Sequence, residues 1–421
     1  MSKYTVRHYA HSVTCSSISY SVDTPRAETI DFQETEFLPV RAWAFSSDGE
    51  PLCFIFSFNS EKLLPPNTER PDVNAEYSDA SILCGLSVLV PFHTSFDIGV
   101  NKGGLNIWLA RIELTEVQVL EGSSGYLFLD NDDNESVDQY TGTRKIDAEN
   151  LDAWETYFQA INTRPDSSTS KFVFCIAPAK EYVFPDLYPV LNSGMTAYGQ
   201  FKQAFSSVTN MLDPLKSLFH HRQLTYSKND THWTDFGAFI TAQLICTRLK
   251  LPYVAPSLIY TPEVTTGDLG IKYNPQKLEY SFFADLTNSC IDRFDNMIPV
   301  RGNIVSLNNS QAARKETCLI FGSSSSESVA IQLCGVFSRV VRVFSGADID
   351  IDIIEHEKPS CIIVILASRF LVRSATTDFR INSEVRRKLE GMTNEEIENI
   401  VSKSKNCISH NLDEMYVDML K

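Results

Sequence analysis

Asn229-Asp230-Thr231-His232-Trp233-Thr234 places a carboxylate two residues before an imidazole, immediately ahead of a stretch with helical apolar spacing. At that separation Asp230 can accept a hydrogen bond from the Nδ1–H of His232, fix its tautomer and leave Nε2 free as a general base. A base of this kind needs a nucleophile, and Gly322-Ser323-Ser324-Ser325-Ser326 offers one. That run directly follows an apolar strand and directly precedes a helix. A hydroxyl there projects from the carboxyl end of a sheet, where backbone N–H groups and the positive end of the helix can stabilise an oxyanion. Each motif also has a plain structural reading, one as a serine-rich helix cap and the other as a capping aspartate beside a surface histidine. Together they supply nucleophile, base and orienting acid in Ser324, His232 and Asp230. His8, His11, His93, His220, His221, His356 and His410 lack that setting. His220-His221 does not read as a metal site, since adjacent ring side chains do not share a helix face and no acidic partner is spaced for coordination; no metal is expected.

Such a pair must be carried on elements that end near one another, and the grammar of residues 119–370 provides them. Residues 172–177, 317–321, 340–344 and 361–366 are short apolar runs that predict buried strands. Between them, residues 234–249 predict a helix capped by Thr234, 327–337 a second helix, and 214–219 a short helical turn capped by Asp213. This alternation predicts an α/β layer fold with a largely parallel sheet. Before it, residues 4–119 read as all-β: aromatic and β-branched segments at 41–45, 53–58 and 105–114, broken by turn clusters such as Ser47-Asp48-Gly49-Glu50 and Pro65-Pro66-Asn67. The expected division is a β-sandwich over 1–118 and a catalytic domain over 119–421. The tail from residue 382 reads as helical and charged, with no function assigned to it.

Composition narrows the partners. Lys plus Arg number 37 against 53 Asp plus Glu, a formal charge of -16 that would repel a phosphate backbone, and the one basic run, Arg386-Arg387-Lys388, sits among glutamates. Nucleic acid is therefore not an expected partner. With 43% hydrophobic and 21% charged residues the chain has ample apolar surface for a folded core, yet nowhere eighteen consecutive apolar residues to span a membrane. Its first residues lack the apolar core and cleavage site of a secretory signal, which gives a cytoplasmic expectation, or a periplasmic one if the native start is longer. The cysteines at 15, 53, 84, 175, 246, 290, 318, 334, 361 and 407 are scattered without any CxxC spacing and read as reduced residues.

The motifs between residues 119 and 370 resemble the SGNH-like domain of the alginate O-acetyltransferase family, the AlgX and AlgJ type. Four signatures carry the resemblance in the family's order: Gly122-Ser123-Ser124-Gly125-Tyr126-Leu127-Phe128-Leu129 with Gln139-Tyr140-Thr141-Gly142; Ala177-Pro178-Ala179-Lys180-Glu181-Tyr182-Val183-Phe184-Pro185; Asp230-Thr231-His232-Trp233; and Gly322-Ser323-Ser324-Ser325-Ser326. The Asp/His block precedes the serine, as in the permuted domain of that family and opposite to common SGNH hydrolases. Ser323 and Ser325 replace the family's Asp/Thr and aromatic neighbours of the nucleophile, and Arg369 is kept from a Glu-Arg pair whose glutamate is missing. Near the amino terminus, Val40-Arg41-Ala42-Trp43-Ala44, Glu69-Arg70-Pro71-Asp72-Val73 and Cys84-Gly85-Leu86 resemble a β-sandwich module attached to bacterial polysaccharide-synthesis enzymes. There Trp43 also reads as core, and Arg70-Pro71-Asp72 as a turn with an internal ion pair.

The resemblance implies a permuted, three-layer SGNH-hydrolase-like domain with a parallel sheet, preceded by the sandwich. It implies an O-acetyltransferase with Ser324 as nucleophile, His232 as base and Asp230 as its orienter, and with Gly322, Ser323, Ser325, Lys180 and Arg369 at the oxyanion or substrate. Arg369 would contact an acidic sugar or form a structural ion pair. No cofactor is expected to be bound. The partners implied are a carbohydrate acceptor and an acyl donor: acetyl-CoA in the cytoplasm, a membrane-borne donor if the protein is exported. Two other readings use the same residues, a carbohydrate acetylesterase and a non-catalytic glycan-binding scaffold on a decayed fold.

Overall fold

Strict alternation between Phe37 and Ala44 folds as the strand Phe37–Ser46, with Leu38, Val40, Ala42 and Ala44 buried and Phe37, Pro39 and Arg41 exposed. In the computed structural model, which describes residues 2–11, 17–32, 37–164, 170–287 and 289–421, this strand belongs to the first of two compact units. That unit comprises Met1–Val119 together with Gly270–Lys277. It contains a six-stranded antiparallel sheet and a four-stranded antiparallel sheet. Val6, Phe54, Ile98, Val100 and Ile112 from the larger sheet and Leu38, Val40, Ala42 and Leu86 from the smaller share one apolar cluster. The segment Gly270–Lys277 is held by backbone and side-chain bonds: Thr29 and Asn274 exchange hydrogen bonds at 2.5 and 2.6 Å, and the Asn274 amide donates to Ala27 O at 2.6 Å. Arg70 forms a bidentate pair with Asp72 at 2.9 and 2.6 Å and a further bond to Asp23, and Trp43 packs against the rings of Phe45 and Tyr77.

The second unit, Leu120–Leu269 with Leu278–Lys421, is built on a seven-stranded sheet. Its strands run in the order Met211–Leu212, Lys171–Ala177, Cys361–Ala367, Arg314–Gly322, Phe337–Phe344, Ile304–Asn309 and Ile291–Asp295. The first five are parallel and the last two join antiparallel. Continuous apolar runs suit strands covered on both faces, and the side-chain period of two splits them cleanly. Val173, Cys175, Cys318, Ile320, Ile363 and Ile365 face the helices Asp235–Leu249 and Ser326–Leu333; Phe174, Ile176, Leu319, Phe321, Ile362 and Val364 face Ala148–Asn162, Ala197–Ala204 and Ile351–Glu357. The nine described cysteines are free, five of them buried in these layers, and Cys15 lies outside the described residues. Among the described residues no helix is long and apolar enough to cross a membrane.

Two sequence expectations are corrected here. The helix expected over 327–337 spans Ser326–Leu333, and the strand expected from 340 begins at Phe337. Gly335 lies just beyond the helix end, where the chain passes against another segment. A Cβ there would lie 2.2 Å from Val254 O and 2.6 Å from two further backbone atoms of that neighbouring segment, so the chain must turn at a residue without a side chain. Gly335→Ala should therefore destabilise the protein by about 1–3 kcal/mol through overpacking, read as a lower urea midpoint at unchanged slope. The helical turn expected over 214–219 is Leu215–His220, with Asp213 Oδ1 accepting from Leu215 N at 2.9 Å. The tail folds as Ile381–Leu389, Asn394–Asn406 and Glu414–Asp418.

Candidate active site

The helix Asp235–Leu249 begins where Thr234 Oγ1 accepts from Gly237 N, as the sequence suggested. Just before it, Tyr226 and Trp233 form an isolated bridge that closes residues 226–233 into a loop, with Asp230 and His232 on it. Asp230 Oδ1 accepts from the backbone N of His232 at 2.8 Å and bonds its Nδ1 at 2.7 Å. Burial alone would lower the His232 pKa. The hydrogen bond to Asp230, that carboxylate's charge and the charge of Asp268 outweigh it and hold the imidazole above its ordinary 6.5. Burial would likewise raise the Asp230 carboxyl, but the bonds and charge of His232 keep it below the usual carboxylate range.

The serine turn meets this loop at the carboxyl end of Arg314–Gly322. A Cβ on Gly322 would stand 2.4 Å from Ser326 Cβ, so glycine lets the strand pass into the helix at close range. Ser326 Oγ donates to Ser323 O at 2.6 Å, and Ser323 N donates to Ile365 O at 3.0 Å. Ser323, Ser325 and Ser326 are buried; Ser324 is the one of the four that is not. Its Oγ lies 2.6 Å from His232 Nε2, 92 residues away in sequence, completing a chain from carboxylate to imidazole to hydroxyl. The backbone N–H groups of Ser324 and Ser325 stand at the head of the Ser326–Leu333 helix.

Three neighbours brace the assembly. Lys180, 2% exposed, donates from Nζ to the carbonyls of Ser227, Lys228 and Asp230 at 3.1, 3.0 and 2.6 Å. All three ammonium protons are thus directed at the loop. Lys180 also lines the cavity beside Ser324. Burial pulls its pKa down to about 8 against the surrounding carboxylates. Asp268 accepts from Thr231 N at 2.7 Å and from the Thr231 hydroxyl, and its own N donates to Asp230 Oδ2 at 3.1 Å. Trp233 Nε1 donates to Ser325 O at 3.0 Å, tying the base loop directly to the serine turn. Sequence reasoning missed Asp268, which gives no local signal of its own. Asp230, His232 and Asp268 bring their ligand atoms within 4.8 Å of one another, but these atoms bond each other and Thr231, an arrangement for orienting an imidazole.

Beside Ser324 lies a cavity of about 30 Å³ lined by Ser136, Glu181, Tyr226, His232 and Arg369, among others. Arg369 Nε is 3.9 Å from Asp132 Oδ2, and that nitrogen is buried without a hydrogen-bond partner. Asp132 is itself held by Asn134 and Ser136. The Ser323 hydroxyl is also buried without a partner. Of the residues singled out from sequence, Ser324, His232 and Asp230 are joined by hydrogen bonds; Lys180, Ser325 and Arg369 line or brace the same cleft; Gly322 and Ser323 shape the turn beneath it.

No protein-family model and no curated protein matches the chain. Among solved structures, it is similar to Bacillus cereus PatB1 at 12% identity, with a TM-score of 0.42 over 60% of this chain and 96% of that one. It is similar to a DHHW family protein from Eubacterium siraeum at 12% identity, TM-score 0.42, over 60% of this chain and 95% of that one. With the O-acetyltransferase domain of Pseudomonas putida AlgJ it shares 15% identity at a TM-score of 0.40, over 61% of this chain and 93% of that one.

Proposed function

We propose that the protein is a serine-dependent O-acetyltransferase that moves an acetyl group to a hydroxyl of a bacterial polysaccharide or sugar precursor, on a permuted SGNH-hydrolase-like domain. The observation that carries this reading is the unbroken chain Asp230–His232–Ser324, with contacts of 2.7 and 2.6 Å, at the carboxyl end of a parallel sheet. A decayed scaffold gives no reason for each of these contacts to persist.

Ser324 Oγ attacks the donor's acyl carbonyl while its proton passes to His232 Nε2, and Asp230 holds the Nδ1–H of the imidazolium. The oxyanion is received by the N–H groups of Ser324 and Ser325 at the helix head. His232 returns the proton to the leaving group. It then takes the proton of a sugar hydroxyl, which attacks the acyl-enzyme, and passes that proton to Ser324 Oγ as the C–Oγ bond breaks and the acetylated sugar leaves. A cavity of about 30 Å³ suits a two-carbon acyl group, given that one water requires ~10–15 Å³ by the same measure. The donor is acetyl-CoA for a cytoplasmic protein and a membrane-borne acyl carrier for an exported one, and the amino-terminal unit serves as a sandwich-type, carbohydrate-associated module.

The test is intact-protein mass after brief incubation with p-nitrophenyl acetate, followed by peptide mapping. An adduct of about 42 Da, one acetyl group, on the peptide containing Ser324 is expected, and its discharge should speed up when oligosaccharide is added, with acetylated sugar as product. Discharge to acetate alone at every acceptor concentration would make the protein an esterase. No adduct and no released nitrophenol would overturn the enzyme reading.

A further inference from the structure

One ionisable group in the cleft has no part in the chemistry described so far. Glu181 lies on the short helix Lys180–Val183, is 8% exposed, and lines the Ser324 cavity together with His232 and Arg369. A buried carboxylate ordinarily has a cationic partner or several donors. Of the neighbouring cations, Lys180 is bonded to three backbone carbonyls, and Arg369 stands near both Glu181 and Asp132, its Nε 3.9 Å from Asp132 and without a hydrogen-bond partner. Its own backbone N–H reaches the Glu181 carboxyl, and no described side chain hydrogen-bonds or ion-pairs with it.

Its titratable surroundings come from every element around it: Lys180 and Tyr182 on its own helix, Arg369 after the strand Cys361–Ala367, and Asp132 and Tyr140 at and near the helix Ser136–Thr141. Tyr188 and Tyr226 stand near it as well, and His232 lines the same cavity. Burial pushes the carboxyl up to about 7, with its own N–H, Arg369 and Lys180 opposing and Asp132 reinforcing the shift. The group is neutral on the acid side of that value and ionised on the alkaline side.

We propose that Glu181, as a neutral carboxylic acid, donates a hydrogen bond to an oxygen of the acyl donor held beside Ser324, so that its ionisation sets the alkaline limit of turnover. This rests on the acyl-transfer reading above. Activity then needs two groups without charge: His232, neutral once pH has risen past a point above 6.5, and Glu181, neutral until pH passes about 7. The pH profile of kcat/KM is then a bell whose acid limb belongs to His232 and whose alkaline limb belongs to Glu181.

The experiment is kcat/KM for p-nitrophenyl acetate across about pH 5 to 10, with Ser324→Ala as the blank at each pH, for wild type, Glu181→Gln and Glu181→Met. Wild type should lose about tenfold for each pH unit on the alkaline side. Glu181→Gln keeps a donor of the same shape at every pH; its acid limb should remain while its alkaline limb disappears. Glu181→Met fills the space without a donor, and should lose the alkaline limb and run about tenfold or more below Glu181→Gln throughout. An alkaline limb that persists in Glu181→Gln belongs to another group, Lys180 first among them, and overturns the proposal. So does a wild-type profile with no alkaline fall. Wild-type release that never exceeds the Ser324→Ala blank instead overturns the acyl-transfer reading. Should both variants fail to fold, infrared titration of the wild type decides: a buried carboxylic acid C=O band that vanishes near neutral pH is required, and its absence is fatal to the proposal.

Discussion

Ser324→Ala should reduce acyl-ester turnover by on the order of 10⁶-fold and abolish the acyl adduct, because the hydroxyl and its base act as a unit. Asp230→Asn is the more informative partner. It should cost about 10⁴-fold in kcat, since the amide turns the imidazole toward the wrong tautomer. The pH dependence must move as well. His232 is held above 6.5 by the bond and charge of Asp230 against a burial effect in the other direction. Removing the carboxylate leaves burial, the largest effect, opposed only by the charge of Asp268, so the acid limb of kcat/KM should shift to lower pH while the maximum falls. A fall in kcat with the limb unmoved would mean that Asp230 does not set the charge state of His232. The measurement is a kcat/KM profile for both proteins, with circular dichroism to establish that each is folded.

Arg339→Met should lower folding stability by about 3–5 kcal/mol, the usual cost of leaving buried charge without its partner. The Arg339 side chain is 5% exposed and binds Glu357 through two contacts at 2.8 and 2.7 Å and Asp413 at 2.9 Å, both carboxylates being fully buried. Tyr416 adds its hydroxyl to Glu357 at 2.5 Å, and Ser306 donates to Asp413 at 2.8 Å. The cluster fastens the carboxyl-terminal turns to the sheet strand Phe337–Phe344. If the loss comes from uncompensated charge, the triple variant Arg339→Met, Glu357→Gln, Asp413→Asn should recover more than half of it. Urea unfolding of the single and triple variants checks this, and a triple variant no more stable than the single one would assign the loss to packing.

What the sequence made legible, and what it hid, follows the range of the forces involved. Thr234 and the helix behind it could be read to within a residue because a cap and an apolar period are local signals. The strands at 317–321 and 361–366 were equally plain, since buried parallel strands are continuous apolar runs. The end of the helix near residue 333 was not, because Val336 and Phe337 suit a helix as well as a strand, and it is pairing with the Ala313–Arg314 segment that draws them into the sheet. Asp230, His232 and Ser324 could be singled out together, and hydrogen bonds join them. Lys180 could be located but not understood, since its partners are carbonyls that any sequence would offer. Asp268 was invisible: it joins Asp230 from 38 residues away with nothing nearby to announce it. The charged tail hid a buried ionic cluster for the same reason.

The first compact unit is completed by Gly270–Lys277, residues that emerge long after Val119. Vectorial synthesis normally lets an amino-terminal domain fold while the rest of the chain is still being made. Here that order is interrupted. Thr29 and Ala27 must wait for Asn274, so the leading unit stays unfinished on the ribosome until the base loop, with Asp230 and His232, has already left the exit tunnel. The serine turn is made later still. Severing the gene at the 119/120 boundary would therefore deprive the amino-terminal unit of its own last piece.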